Sequence, residues 1–325
     1  MLKPKVFLNR KLSERTMTSL EESCEILLWD GVGHCPLEAA RQGIAQAEAV
    51  LGHYPWSSEL MDCAPRLRII ANIGVGFDNV DVAAASRRGI IVTNTPDVLT
   101  ETTADLTFAL LLAAARRLCE AERFVRNGEW TTNRGSEALL GADVHHATLG
   151  IIGLGRIGSA VARRATGFDM RVLYYDIVRR PDLEDRHGYE YVNLDTLLGS
   201  SDFVSLHVPL CPQTVGLVGQ RELGLMKRTA YLINASRGPI VNEPALVEAL
   251  REKRIAGAGL DVFTIEPAGV DNPLLMMDNV VTLPHVGSAT VATRLAMETL
   301  AAANVLAHVQ GRPPLTPVNP EVLGR

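Results

Sequence analysis

The chain has 325 residues, a length that corresponds to about two domains. Hydrophobic residues make up 47% and charged residues 21% of the sequence, which excludes a largely disordered chain. Its 32 Lys and Arg residues and 37 Asp and Glu residues give a net charge of −5, without a run of like charges, so we expect no nucleic-acid partner.

The distribution of apolar residues and cysteines narrows the class of protein further. The longest apolar stretch, residues 106–115, is about half of the ~20 residues that a membrane-spanning helix needs. The N-terminal apolar run is too short for a signal peptide, so we expect a cytoplasmic protein without a membrane partner. Five cysteines without a C-x-x-C pair argue against a disulfide framework and against a zinc site, and no metal is expected.

The first hundred residues alternate short apolar runs with amphipathic stretches. This rhythm is typical of βαβ units, and it predicts a parallel sheet wound with helices over residues 1–99. The predicted strands are 6–8, 25–29, 47–51, 67–71 and 90–93, and the predicted helices include 14–23 and 57–63.

A second set of βαβ units follows a long helical stretch, which we predict as one helix over residues 101–127. The second set predicts one doubly wound domain of about residues 100–287, followed by a helix over 289–310 and a Pro-rich tail that either packs on the first domain or hangs free. Its predicted strands are 147–152, 171–176, 203–208, 231–235, 257–262 and 280–283, and its helices include 220–226 and 243–252.

The most informative motif is G-x-G-x-x-G at residues 153–158, between a predicted strand and a predicted helix. Gly153 would allow the tight turn, Gly155 would let the backbone approach a pyrophosphate, and Gly158 would permit close packing of helix and strand. With Arg156 and Ile157 in the first helical turn, this loop is predicted to bind a dinucleotide at the positive end of the helix.

Asp176 stands about twenty residues after the glycine motif, at the end of the next predicted strand. A carboxylate there accepts hydrogen bonds from the ribose hydroxyls of NAD and repels the 2′-phosphate of NADP, so NAD(H) is the preferred cofactor. Because Arg179 and Arg180 lie just beyond and could pair with a phosphate, NADP(H) remains possible.

Motifs spread over the whole chain resemble the D-isomer-specific 2-hydroxyacid dehydrogenase family, most closely its glyoxylate/hydroxypyruvate reductase branch. The resemblance implies an α/β fold of two doubly wound parallel-sheet domains. A Rossmann nucleotide domain of residues 100–287 would be inserted into a flavodoxin-like substrate domain of residues 1–99, completed by about 288–325, with the active site in the cleft. The motifs lie at residues 72–79, 95–100, 103–105, 153–158, 234–238, 259–263, 266–267 and 284–288.

The resemblance implies a catalytic set of Arg237, Glu266 and His285. His285 would be the general acid that protonates the alkoxide formed when a 2-keto acid is reduced. Glu266 would hydrogen-bond this histidine, fix its tautomer and raise its pKa. Arg237 would hold the substrate carboxylate and polarise the keto oxygen with its planar fork of donors. All three follow predicted strand ends, where doubly wound folds bind ligands.

Further contacts are implied by the same resemblance. The backbone N–H groups of Val75 and Gly76 would receive the substrate carboxylate, and Tyr54 would contribute from a substrate-side loop at residues 52–56. Asp261 would lie near the nicotinamide carboxamide and Thr103 near its ring. The remaining implied cofactor contacts are His207, Val208, Pro209, Thr214, Ala235, Ser236 and Gly287, together with Arg237 and His285.

Two segments depart from the family pattern. Residues 52–56 are more aromatic and polar than expected of a glyoxylate reductase, which leaves the substrate size open, and residues 131–141 contain no aromatic that a neighbouring subunit could present. A homodimer through the nucleotide domain is still implied. We therefore expect an NAD(H)-dependent reductase of short 2-keto acids such as glyoxylate and hydroxypyruvate. The alternatives are a phosphite or bulkier 2-keto acid dehydrogenase (phenylpyruvate, 2-ketogluconate) and a non-catalytic NAD-sensing corepressor-like protein.

Overall fold

The computed structural model describes residues 3–132 and 135–324, except for the side chains of residues 135 and 136. Part of the segment 131–141 therefore lies outside the described residues. The chain forms two compact units. Unit 1 comprises Met1–Leu99 with Ala289–Arg325, and unit 2 comprises Thr100–Ser288.

Unit 1 is built on a five-stranded sheet in the order β2-β1-β3-β4-β5, in which every pair of neighbouring strands is parallel. This is the strand order of flavodoxin-like folds. Its strands are β1 (Lys5–Leu8), β2 (Glu25–Leu28), β3 (Ala49–Gly52), β4 (Ile69–Asn72) and β5 (Ile91–Thr93). Its helices are α1 (Glu14–Ser23), α2 (Leu37–Gln46), α3 (Ser58–Asp62), α4 (Val82–Arg87) and α12 (Val291–Val309), with a 3-10 turn at Pro320–Val322.

Burial and capping explain the elements of unit 1. β3 and β4 are buried on both faces, which is why their sequences, apart from Asn72 at the end of β4, are apolar rather than alternating. Two short helices begin where a side chain caps the first turn: the Ser57 hydroxyl accepts a hydrogen bond from Leu60 N–H, and the Asp81 carboxylate accepts one from Ala84 N–H. These caps fix where the chain turns after β3 and after β4.

The C-terminal segment of unit 1 runs along the edge of its sheet. Pro317 pairs antiparallel with Thr93 of β5, and Val318 N–H donates to the Val92 carbonyl at 2.7 Å. The buried Asn319 accepts from Val92 N–H at 2.8 Å and donates to the Ile90 carbonyl at 3.0 Å. The Pro-rich tail is therefore packed against unit 1 and does not hang free.

Unit 2 is built on a seven-stranded sheet in the order β12-β11-β10-β9-β6-β7-β8, again with only parallel pairs. Two βαβ halves thus meet at β6 and β9, the topological switch point of a Rossmann fold. Its strands are β6 (Thr148–Ile152), β7 (Arg171–Tyr175), β8 (Glu190–Tyr191), β9 (Phe203–Leu206), β10 (Tyr231–Asn234), β11 (Gly257–Leu260) and β12 (Val280–Thr282).

The helices of unit 2 cover the sheet, and the predicted fold class, two doubly wound parallel-sheet α/β units, is confirmed. The helices are α5 (Thr100–Ala115), α6 (Leu118–Arg126), α7 (Arg156–Ala165), α8 (Pro181–His187), α9 (Leu194–Ser200), α10 (Gln220–Leu225) and α11 (Glu243–Arg251), with 3-10 turns at Gly135–Leu139, Thr166–Phe168, Gly238–Ile240 and Pro273–Met276. α8, β8 and α9 were not predicted. No helix of the described residues is long and apolar enough to cross a membrane.

The helix predicted over residues 101–127 is wrong in one respect, because the chain breaks it into α5 and α6. The break lies at Arg117, whose φ of 51° is left-handed. The Arg117 guanidinium donates to Glu120 at 2.8 and 2.6 Å and to the Ala138 carbonyl at 2.8 Å. The hydrogen bond to Ala138 is tertiary and joins the break to the 3-10 turn at Gly135–Leu139, a partner that an apolar and Ala-rich sequence pattern does not reveal.

The apolar density of α5 reflects burial within unit 2. α5 packs on β10 and β11, and Leu110 occupies the space that a side chain on Gly259 would need, since a Cβ there would lie 2.7 Å from Leu110 Cγ. Because helices cover both faces of the sheet, we expect a ligand of unit 2 to bind at the carboxyl ends of its strands.

Candidate active site

The predicted site residues of unit 2 follow the carboxyl ends of its parallel strands. Gly153 follows β6, Asp176 follows β7, His207 follows β9, Ala235 follows β10 and Asp261 follows β11. Since the carboxyl ends of parallel strands share one edge of a sheet, the fold gathers these positions along the edge where such folds bind ligands.

Glu266 and His285 form a side-chain pair at this edge. His285 Nδ1 lies 2.7 Å from Glu266 Oε2, and Glu266 Oε1 accepts a hydrogen bond from Phe263 N–H at 2.9 Å. Burial raises the pKa of Glu266, but these two hydrogen bonds and the charges of His285 and Arg237 outweigh it, so that the pKa lies below its ordinary value. Glu266 is therefore ionised at neutral pH and accepts a hydrogen bond from Nδ1–H.

The backbone of His285 is itself unusual. Its φ of 53° lies in the left-handed region, which a β-substituted residue rarely adopts unless its surroundings impose it. Asp261 supplies that constraint: its carbonyl accepts from His285 N–H, and its carboxylate accepts from Val286 N–H and Gly287 N–H, each at 2.8 Å. One buried residue thus holds three consecutive amides of the turn that presents the imidazole.

Gly287 places the same turn against both Asp261 and α5. Burial raises the pKa of the Asp261 carboxyl, and the N–H groups of Val286 and Gly287 offset part of that effect. A Cβ on Gly287 would lie 3.1 Å from the Asp261 carboxylate and 3.4 Å from the Thr103 methyl group. Glycine at 287 therefore allows Asp261, Thr103 and the turn that carries His285 to pack closely. Unit 2 thus brings together three of the predicted cofactor contacts, Asp261, Thr103 and Gly287.

Arg237 is placed by the turn that follows β10. Asn234 braces this turn, because its side chain accepts from Ser236 N–H at 3.0 Å and donates to the Arg237 carbonyl at 2.9 Å. The next residue, Gly238, lies directly against the backbone of Phe263, where a Cβ would come within 1.9 Å of the carbonyl carbon. The segment that carries Arg237 therefore packs on the segment that carries Glu266.

The glycine motif forms a cradle with space for a ligand. Gly153 has a φ of 95°, and a Cβ on Gly158 would lie 2.1 Å from the Gly153 carbonyl oxygen, so both positions require glycine. In contrast, a Cβ on the exposed Gly155 would meet nothing within 4 Å. α7 begins there without a capping side chain, with Arg156 exposed and Ile157 half-buried. The cradle fits a pyrophosphate at the helix N-terminus.

Asp176 is half-buried beside this cradle. Its carboxylate accepts from Leu154 N–H at 2.7 Å and from Val178 N–H at 3.1 Å. A carboxylate has about four acceptor positions, so two remain for the hydroxyls of a ribose. The hydrogen bond to Leu154 also fixes the carboxylate relative to the glycine loop.

The two arginines after Asp176 already have carboxylate partners. Arg179 donates to both oxygens of Glu184, and Arg180 donates to both oxygens of Asp182 at 3.0 and 2.9 Å. Hydrogen bonds from Arg179 and Tyr174 lower the pKa of Glu184 to about 2. A 2′-phosphate would have to compete with these carboxylates for the guanidinium groups.

The loop after β9 carries the residues that sequence similarity assigns to the adenosine half of a cofactor. His207 Nε2 lies 2.8 Å from the Ser205 hydroxyl, and burial lowers the pKa of His207 to about 4, so its ring is neutral at pH 7. The half-buried Val208 accepts from the Ser236 hydroxyl at 2.6 Å, and the Thr214 hydroxyl donates to the Pro209 carbonyl at 2.6 Å. The first bond fixes the loop to β9, the second fixes it to the turn after β10, and the third is internal to the loop.

Of the residues predicted to bind substrate, Arg237 and His285 belong to unit 2, whereas Val75, Gly76 and Tyr54 belong to unit 1. Val75 and Gly76 are half-buried in the loop between β4 and α4. Tyr54 is half-buried as well, with its ring centroid 5.1 Å from that of Trp56. Trp56 is only 1% exposed and belongs to the core of unit 1, so the aromatic character of residues 52–56 is in part structural.

Sequence reasoning missed the residues that hold the catalytic loops in place. Besides Asn234, Glu243 accepts hydrogen bonds from Thr264 N–H at 2.9 Å and from the Asn272 side chain at 2.7 Å, which fixes the loop carrying Glu266. A polar residue at the start of a helix, as Glu243 is in α11, is ordinarily explained by the helix dipole. Only the contacts with Thr264 and Asn272 show that Glu243 also fixes the loop that carries Glu266.

Among the described residues, no group of three or more His, Cys, Asp or Glu side chains could hold a metal ion.

Comparison with known proteins agrees with this architecture. Residues 108–287 match the family model described as "D-isomer specific 2-hydroxyacid dehydrogenase, NAD binding domain". A glyoxylate reductase from Korarchaeum cryptofilum is 50% identical over 324 residues, which cover 99% of this chain and 98% of that protein. A glyoxylate reductase from Thermococcus litoralis is 47% identical over 327 residues, with the same coverage of both chains.

Solved structures give the same result. An NADPH-dependent glyoxylate/hydroxypyruvate reductase from Sinorhizobium meliloti, in complex with NADP and malonate, superposes with a TM-score of 0.88 at 37% identity over 97% of both chains. A protein from Thermus thermophilus superposes with a TM-score of 0.90 at 42% identity, over 97% of this chain and 99% of that one. The chain therefore belongs to the D-isomer specific 2-hydroxyacid dehydrogenase family, as its motifs predicted.

Proposed function

We propose that this protein is an NAD(H)-dependent reductase of short 2-keto acids, with glyoxylate and hydroxypyruvate as its leading substrates. The observation that carries the proposal is the 2.7 Å hydrogen bond between His285 and Glu266 on a constrained turn at the carboxyl edge of the unit 2 sheet. Relatives named glyoxylate reductase that match nearly the full chain support the substrate class. Where the product is chiral, the D configuration is expected.

His285 is proposed as the general acid. Because its Nδ1 is engaged by Glu266, Nε2 is the nitrogen that delivers a proton to the keto oxygen of the substrate. Glu266 stabilises the imidazolium and keeps the ring in one tautomer. When bound, the dihydronicotinamide supplies the hydride that reduces the keto carbon. The residues of the chain supply the proton and the geometry.

The substrate carboxylate is assigned to two sets of donors. The planar guanidinium of Arg237 can donate hydrogen bonds to the carboxylate and polarise the keto oxygen. The backbone N–H groups of Val75 and Gly76 can donate to the same carboxylate. We assign substrate recognition to unit 1, residues 1–99 with about 288–325, and cofactor binding to residues 100–287. The match of residues 108–287 to an NAD binding domain supports the second assignment.

NAD(H) is proposed as the preferred cofactor, with NADP(H) as a weaker alternative. The half-buried Asp176 carboxylate and the pairing of Arg179 and Arg180 with acidic side chains support this preference. The assigned contacts are Gly153, Gly155, Arg156, Ile157, Gly158 and Asp176 for the pyrophosphate and ribose, His207, Val208, Pro209 and Thr214 for the adenosine half, and Thr103, Ala235, Ser236, Arg237, Asp261, His285 and Gly287 for the nicotinamide half.

We also propose a homodimer formed through unit 2, in the cytoplasm. Apolar side chains are exposed along α6 and the chain that follows it: Leu118 by 53%, Val125 by 55%, Trp130 by 60% and Leu140 by 76%. An apolar cluster of this kind is typical of a surface that a partner covers. All five cysteines are free thiols, which suits a reducing compartment.

The first prediction concerns activity. We expect rapid oxidation of NADH by glyoxylate and hydroxypyruvate, slower oxidation by pyruvate, phenylpyruvate and 2-ketogluconate, and no reduction of NAD by phosphite. In His285→Ala, kcat should fall by about 10²- to 10⁴-fold because the proton donor is lost, while NADH still binds. The exposed His145→Ala in the same unit serves as the matched control and should retain wild-type turnover.

Three results would overturn this assignment. Wild-type turnover in His285→Ala would remove the histidine from the mechanism. A preference for the bulky keto acids, or activity with phosphite alone, would change the substrate. NADH binding without turnover on any of these compounds would favour a non-catalytic NAD sensor.

The second prediction concerns cofactor choice. Asp176→Ser removes the negative charge and one acceptor oxygen, so kcat/KM with NADH should fall by about tenfold while kcat/KM with NADPH is unchanged or rises. The exposed Asp185→Ser on α8 is the control for a lost surface charge. An unchanged ratio of NADH to NADPH efficiency in Asp176→Ser would show that the carboxylate does not face the ribose.

The third prediction concerns assembly. Light scattering should give a mass of about twice the 35.2 kDa of one chain. Leu118 and Val125 lie seven residues apart on one face of α6, so the double variant Leu118→Glu/Val125→Glu should place charges in the interface and shift the mass toward one chain. A wild-type mass of one chain, or an unchanged mass in the double variant, would contradict this interface.

A further inference from the structure

The loop between β4 and α4 in unit 1 has all three of its central carbonyl groups occupied. The Asn72 side chain donates to the Gly76 carbonyl at 2.8 Å, and the Asn94 side chain donates to the Val75 carbonyl at 2.8 Å. The Gly74 carbonyl accepts from Thr95 N–H at 2.9 Å. The three carbonyl oxygens of the loop are thus engaged by donors of unit 1, namely two asparagine side chains and the backbone N–H of Thr95.

The amide groups of the same loop behave differently. In the chain as described, residues 3–132 and 135–324, the N–H groups of Val75 and Gly76 donate to no acceptor. Both residues are only half-buried, so a ligand can approach this part of the loop. Two adjacent N–H groups without an acceptor, in a loop whose carbonyl groups are already engaged, are available to an anion.

A third asparagine orients the first. The Asn79 side chain donates to Asn72 Oδ1 at 3.0 Å and to the Tyr54 carbonyl at 2.8 Å. Because Asn72 is fully buried and its oxygen accepts this bond, its NH₂ group is directed to the Gly76 carbonyl. A buried side-chain amide that both donates and accepts is held in one orientation. Aspartate and leucine are similar in size, but aspartate cannot donate when ionised and leucine can neither donate nor accept.

We propose that Asn72, Asn79 and Asn94 are positioning residues that hold the loop in its anion-binding conformation and thereby set the affinity for the substrate carboxylate. We call the three side chains the asparagine brace. The inference rests on the proposed function, since it concerns the carboxylate of the same substrate. None of the three side chains belongs to the catalytic or cofactor-binding residues assigned above, and the brace acts through the backbone of Val75 and Gly76.

The brace makes a specific kinetic prediction. The carboxylate is held equally in the ground state and in the transition state, so loosening its site should raise KM and leave kcat almost unchanged. For the half-buried Asn94→Ala we expect an increase of about tenfold in the KM of glyoxylate, with kcat within about twofold of wild type. The inhibition constant of oxalate, a dicarboxylate of similar size that cannot be reduced, should rise in parallel, while NADH affinity stays constant.

Asn79→Ala tests the same idea by a second route, because it frees the Asn72 amide without touching the loop carbonyls. A smaller rise in KM and in the oxalate inhibition constant is expected. Asn319→Ala is the matched control: Asn319 is a buried asparagine of unit 1 that also holds backbone groups, at Val92 and Ile90. This variant should lower the melting temperature and leave KM, kcat and oxalate inhibition at wild-type values.

The outcomes separate the brace from the proposed function. If the wild type reduces glyoxylate but Asn94→Ala and Asn79→Ala keep its KM and oxalate inhibition, the brace is wrong and the reductase assignment stands. The brace is also wrong if Asn319→Ala raises the KM and the oxalate inhibition constant as much as Asn94→Ala and Asn79→Ala do, since that pattern reports lost stability of unit 1 alone. If the wild type reduces no 2-keto acid, the proposed function fails, and the brace fails with it.

Discussion

The arrangement of the candidate site depends on the buried Asp261. Its carbonyl and both carboxylate oxygens accept hydrogen bonds from three consecutive amides, and this holds His285 in a left-handed conformation that it would otherwise avoid. From that position the imidazole meets Glu266 at 2.7 Å. Glu266 keeps its charge although burial opposes it, because His285 and Phe263 N–H donate to it. A proton donor with its partner is thus fixed before any substrate arrives, so none of the binding energy is needed to order it.

The same principle recurs in both units: a polar side chain at the end of a strand fixes the backbone that contacts the ligand. Asn234 and Gly238 hold the turn of Arg237, the Asp176 carboxylate is tied to the glycine loop through Leu154 N–H, and in unit 1 Asn72 engages the Gly76 carbonyl. Parallel sheets favour this arrangement because their strands are buried on both faces, which leaves only the loops at the strand ends for polar chemistry.

Much of the fold and the glycine cradle could be predicted from local sequence, because a glycine loop between a strand and a helix is read within a dozen residues. The family motifs also predicted Arg237, Glu266 and His285 as a set, and unit 2 brings Glu266 and His285 into contact. The break at Arg117 and the engagement of Asp261 by a backbone turn could not be predicted, since both depend on partners twenty or more residues away. Asparagines that brace a loop have the same sequence signature as ordinary turn residues.

The kcat of glyoxylate reduction, compared among wild type, Glu266→Gln and Glu266→Ala, tests most directly whether Glu266 supports His285 by charge. Glutamine can still accept a hydrogen bond from Nδ1, but it removes the negative charge that stabilises the imidazolium. We therefore expect kcat to fall by about 10- to 100-fold in Glu266→Gln, nearly as far as in Glu266→Ala, while NADH binding is unchanged. A kcat near the wild-type value in Glu266→Gln, beside a large loss in Glu266→Ala, would contradict the electrostatic role and would leave Glu266 as an orienting residue alone.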